Sequence, residues 1–154
     1  MSTYFSFYKP ASNPTGLSGT VGGAISAVEL LPRKDTLFCP MSASSLVDTN
    51  QYRKLFIKQI YNATMTGVSI QLVNVDQTGQ IAFALTTGTN DTSSSPTVAP
   101  SGVNFTGNAV YPLYVTGSTV LNSVIPIWLK QTIPANAGDD DFVSFQLRVV
   151  GTIV

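Results

Sequence analysis

An all-β fold is predicted for this 154-residue chain: an antiparallel β-sandwich, immunoglobulin-like or jelly-roll-like, behind an extended N-terminal arm. Three observations predict it. Short runs rich in β-branched and aromatic residues recur between clusters of Gly, Pro, Asn, Asp and Ser, the pattern of strands joined by turns. No stretch carries the apolar period of a long amphipathic helix. Near the end Val143, Phe145, Leu147 and Val149 alternate with Ser144, Gln146 and Arg148, as a half-buried strand requires.

Residues 1–19 (MSTYFSFYKPASNPTGLSG) form the arm, and residues 20–154 a single sandwich domain. A domain of this size buries roughly 68–70% of its unfolded surface without needing disulfides. Tyr4, Phe5, Phe7 and Tyr8 stand in the arm beside Pro10, Pro14, Gly16 and Gly19, a composition that suits an extended segment. Burying those rings does not repay the cost of ordering the backbone, so the arm needs main-chain pairing with a sheet edge, on its own domain or on a neighbour.

Strands are expected over residues 21–31, 52–62, 68–75, 80–86, 110–116, 124–133 and 142–150, with a weaker one near Val103 and Phe105. Seven or eight short strands fit a sandwich. In the second run Leu55 and Ile57 share a face with Arg53 and Gln59, while Tyr52, Lys54, Phe56, Lys58 and Ile60 take the other. Val68, Ile70 and Leu72 point inward, and Val73 and Val75 put apolar groups on the outer face. The turn at residues 76–79 predicts a hairpin into Ile81, Phe83 and Leu85. Residues 86–101 (TTGTNDTSSSPTVAPS) form a loop longer than a hairpin needs, functional or mobile. Ile125, Ile127, Leu129 and Ile133 form a core face, which puts Pro126 and Trp128 outward. A short helical turn is expected after Pro40, with Ser42 as its cap.

Charge is scarce. Eight Lys plus Arg, eight Asp plus Glu and no His make up 10% of the chain, against about 25% in a typical soluble domain. Hydrophobic residues make up 44%, and net charge is zero. Such a chain lacks the charged coat that keeps small proteins apart, and reads as a subunit covered by neighbours. No basic stripe serves nucleic acid; Tyr52, Arg53, Lys54 and Lys58 are the local exception, expected to be solvated on the outer face of one strand. Apolar runs fall short of the roughly 20 residues that span a bilayer, so no membrane is expected. Residues 1–9 carry no secretory signal pattern, which places synthesis and assembly in a cytoplasm.

Catalytic chemistry finds little purchase. Without His there is no Ser/His/Asp or Cys/His arrangement, and Glu29 is the sole Glu for a carboxylate pair. Cys39 is the single cysteine, flanked by Phe38 and Pro40, and reads as a small buried hydrophobe; it makes no intrachain disulfide. Asp139, Asp140 and Asp141 form the one acidic cluster, read as a solvated turn with weak calcium binding as the alternative. Gly22 and Gly23 lack the spacing of a phosphate loop. No enzyme, cofactor or metal site is expected.

GGAI at residues 22–25, TLFCPMSA at 36–43, QYRKLFIKQ at 51–59, GVSIQLV at 67–73, QIAFAL at 80–85, VIPIWLKQTIPANA at 124–137 and FVSFQLRVVG at 142–151 carry a likeness. Over most of residues 20–151 the chain resembles small β-sandwich virion proteins of tailed bacteriophages. Its best markers are the YRK-aromatic strand and the PIW strand, followed by an Asp-rich turn and a terminal alternating strand. The resemblance implies a capsid decoration or cement protein in the virion, bridging neighbouring capsid subunits, with the major capsid protein or copies of itself, as a trimer, for partners. The alternative is a carbohydrate- or receptor-binding sandwich on a tail or fibre, with Tyr111, Tyr114 and Trp128 as stacking platforms. The interface candidates are Tyr4, Phe5, Phe7, Tyr8, Phe56, Ile60 and Trp128. Trp128 reads equally as an interface anchor or as a ring packed by a loop or arm of its own chain.

Overall fold

A computed structural model describes residues 4–31, 37–39, 41, 46–75, 80–137 and 144–154. Its strands are β1 (Phe5–Ser12), β2 (Val21–Glu29), β3 (Thr49–Gln59), β4 (Met65–Val73), β5 (Ile81–Leu85), β6 (Thr92–Ser93), β7 (Leu113–Tyr114), β8 (Val124–Ile133) and β9 (Gln146–Ile153). They form two antiparallel sheets packed as a sandwich, one ordered β5-β8-β3-β1-β2-β6 and the other β7-β4-β9. Among the described residues no helix is long and apolar enough to cross a membrane.

Strands β3 and β8 form the spine of the larger sheet, paired over ten residues from Thr49 opposite Ile133 to Lys58 opposite Val124. Their inward faces supply Leu55, Ile57, Ile125, Ile127 and Leu129, and β5 adds Ile81 and Phe83. From the smaller sheet Val68, Ile70 and Leu72 of β4 close on them, with Leu147 and Val149 of β9 at the margin. The alternation in β8 and β9 thus does what a two-residue period dictates, one face to the core and one away from it.

Several expectations change. The N-terminal segment does not stand apart as an arm: β1 lies inside the larger sheet between β2 and β3, and Phe5 enters the core. Main-chain pairing holds it, as its aromatics alone could not, and the pairing is made on its own domain. The hairpin from 68–75 into 80–86 is not formed, because β4 and β5 belong to different sheets. Asn74 takes a left-handed conformation (φ 52°), and Val75 turns back against the core instead of facing out. Residues 103–105 form no strand, and within 110–116 the strand is Leu113–Tyr114, followed by a Val115 N–H bond to Val68 O. The helical turn at Ser42 and the Asp139 to Asp141 cluster lie outside the described residues.

Candidate functional site

The 86–105 segment decides what the outer face of the larger sheet presents. It is neither an open loop nor a tail: Tyr52 N–H donates to Pro96 O (2.7 Å), and Thr92 and Ser93 pair with β2. Ser93 Oγ ties the segment to itself through the carbonyls of Val98 (2.6 Å) and Ser95 (3.1 Å). Val103 and Phe105 pack on a second apolar cluster of Val21, Tyr52 and Trp128, with the Tyr52 and Phe105 rings 5.5 Å apart. Burial raises the pKa of Tyr52. Phe56, expected to face neighbours, is 0% exposed, and Trp128, also 0% exposed, is packed by a loop of its own chain, the second of its two readings.

Under that cover lies a buried charge. Lys54 is 0% exposed, not solvated as expected, and sits directly opposite Trp128 in the pairing of β3 with β8. Its ammonium donates to the carbonyls of Gly23, Gly88, Thr89 and Asp91 at 3.1–3.3 Å, and contacts carboxylate oxygen Oδ1 of Asp91. The other oxygen, Oδ2, accepts Trp128 Nε1–H at 2.7 Å and Thr86 Oγ1–H at 3.3 Å. The ring of Phe56 lies 4.9 Å and that of Trp128 5.9 Å from Lys54 Nζ, within cation–π range. Desolvation lowers the pKa of Lys54, and the hydrogen bond and charge of Asp91 oppose that shift.

Glycine makes this closeness possible. Gly22 has φ 108°, and a Cβ there would meet Asp91 O at 2.6 Å and the Trp128 ring at 3.1 Å. Gly23 N–H donates to Asp91 O at 2.9 Å, and its carbonyl accepts Lys54. The segments GGAI, YRK and PIW therefore meet at one buried cluster.

On the core face of β3, Arg53 is 1% exposed and, among the described residues, has no carboxylate partner. Its Nε donates to Gln51 Oε1 (3.1 Å) and its Nη2 to Gly16 O (3.0 Å), while Nη1 is buried without a hydrogen bond. Nη2 also lies 3.5 Å from Cys39 Sγ, so the half-buried thiol has a cationic neighbour drawn from 14 residues away. Desolvation lowers the pKa of Arg53, and Cys39 acts against it. Among the described residues no group of three Cys, Asp or Glu stands ready to hold a metal ion.

The remaining interface candidates divide. Phe5 is core, and Phe7 packs half-buried against it. Tyr8 is half-buried, with Lys58 Nζ 5.9 Å from its ring centroid. Tyr4 and Ile60 are exposed and adjacent: Ile60 N–H donates to Tyr4 O (2.9 Å), and Tyr4 meets the exposed Tyr61 edge to face at 4.8 Å. Tyr4 also lines a mostly apolar groove of about 410 Å³ with Phe5, Met65, Arg148, Val150 and Ile153. Val150 and Ile153 are exposed, so the apolar surface continues from Tyr61 and Ile60 across the groove to β9. Tyr111 and Tyr114 are 63% and 68% exposed, unlike Trp128, with which they had been grouped as sugar platforms.

Comparison with known proteins found no matching family model, no similar curated protein and no similar solved structure.

Proposed function

We propose that this chain is a virion structural protein of a tailed bacteriophage, a decoration or cement subunit that stabilises the head by bridging neighbouring capsid subunits. The observation that carries the reading is the grouping of exposed apolar residues around Tyr4, with Ile60 and Tyr61 beside it and Val150 and Ile153 in the groove it lines, on a chain of zero net charge. Contiguous exposed apolar patches mark sites of protein association, and the sequence likeness supplies the setting. The partners are the major capsid protein and copies of this chain, arranged as a trimer; nucleic acid and membrane have no part in it.

Deleting residues 1–19 would remove an interior strand, so the test is made on the surface. The double variant Tyr4→Ser, Ile60→Asp is added to empty heads that lack the protein. Bound copies per head are expected to fall at least tenfold, and head heat stability to return to that of undecorated particles, while the isolated variant melts as wild type does. Undiminished occupancy would overturn the assignment of this surface.

Tyr111 and Tyr114 favour a second reading, a carbohydrate- or receptor-binding sandwich on a tail or fibre, since their rings are open for stacking. Glycan-array binding lost in Tyr111→Ala and Tyr114→Ala, with head occupancy unaffected, would select it.

A further inference from the structure

We propose that Lys54 and Asp91 condense into an intramolecular amide, a covalent staple between β3 and the segment that covers it. This inference is independent of where the protein sits in a particle. An amine, an acyl carbon and an oxyanion site are already assembled. Lys54 is fully buried with its Nζ against Asp91 Oδ1. The rings of Phe56 and Trp128 lie beside it and exclude water. Trp128 Nε1–H and Thr86 Oγ1–H both point at Oδ2, the oxygen that takes up negative charge when Cγ becomes tetrahedral.

Burial favours the uncharged amine of Lys54, against the pull of the neighbouring carboxylate. One ammonium proton passes from Nζ to Oδ1 across their contact, leaving an amine and a carboxylic acid. The Nζ lone pair then attacks Cγ: an N–C bond forms and the carbonyl π pair moves onto Oδ2, held by Trp128 and Thr86. A second Nζ proton passes to Oδ1, the C–Oδ1 bond breaks, and Oδ1 leaves as water while the π pair returns. Ammonium plus carboxylate have become amide plus one water, with no oxidant, metal or co-reactant. The Asp91 side chain is 24% exposed, which gives the water a way out. Of the carbonyls around Nζ, that of Asp91 keeps its bond from Gly23 N–H, and the amide N–H retains one of the others.

Holding the amine against the carboxylate, with Nζ on Oδ1, replaces a bimolecular encounter with a unimolecular step. A desolvated lysine beside aromatic rings is the form in which this side chain acts as a nucleophile. The bond would join positions 37 residues apart.

The test is the mass of the whole purified chain, reduced and denatured. It is expected to be lighter, by one water, than the sum of its residues. A tryptic digest is expected to give a branched peptide joining Lys54 to Asp91, uncut after Lys54. A full mass with Lys54 cleaved normally would overturn the proposal. So would loss of water at Asp91 alone with Lys54 free, the sign of a cyclic imide. Lys54→Met must abolish the branched peptide. Trp128→Phe keeps an aromatic ring and removes the donor, so the cross-linked fraction after refolding should grow at least about tenfold more slowly. Equal rates would remove Trp128 from the reaction.

Discussion

Arg53 and Lys54 are neighbours on β3, both nearly inaccessible, and the chain treats their charges in opposite ways. Lys54, on the outer face, receives a carboxylate, four carbonyls and two aromatic rings from β2, β3, β8 and the 86–105 segment. Arg53, on the core face, receives an amide oxygen, one carbonyl and a thiol from the described residues, and one of its nitrogens has no partner among them. A compact ammonium can be wrapped by backbone, whereas a planar guanidinium wants a matching fork that is not offered here. The first site is thus built around its cation, and the second accommodates one.

That contrast sets the order of mutational costs. Measured against the chain in which the amide has not formed, Asp91→Ala strands the buried Lys54 and is expected to cost about 3–5 kcal/mol, the range for breaking a buried ion pair, read as a lower denaturant midpoint. Trp128→Phe removes a donor to the carboxylate but keeps a ring, and should cost about 1.5–3 kcal/mol by the same measurement. Arg53→Met gives up three hydrogen bonds, one of them a weak one to sulfur, but also relieves a charge that no described carboxylate compensates, so a loss of only about 1 kcal/mol is expected. If Arg53→Met and Asp91→Ala cost the same, the two sites are alike after all. Tyr111→Ser, on open surface, should leave stability within about 0.5 kcal/mol, which sets the floor against which the others are judged.

Strand β8 was fully legible: its expected limits, residues 124–133, are those observed, because Ile125, Ile127 and Leu129 alternate toward one core. The sandwich itself followed from the same pattern. Pairing was less legible. A hairpin between β4 and β5 was the short-range inference, and the long β3 with β8 ladder, built from residues roughly half the chain apart, left no local trace. The lysine cage was hidden for the same reason. A lysine on a strand's non-core face reads as solvated, and nothing near residue 54 announces that Asp91 will arrive from a polar loop. The available signal is the company it keeps: Phe56 and Trp128 on that same face require a cover, and 86–101 is a long loop without another task.

The lysine cage also carries a kinetic signature. Gly23, Lys54, Asp91 and Trp128 come from four widely separated parts of the chain, so the ammonium trades its water for protein only once all four have met. Contacts of such sequence separation form late. In the chain whose amide has not yet formed, folding should therefore proceed with Lys54 still hydrated through the transition state, and Asp91→Ala should leave the folding rate nearly unchanged while unfolding accelerates. The cage would act as a latch on the finished sandwich, lengthening the lifetime of the native state without hastening its arrival.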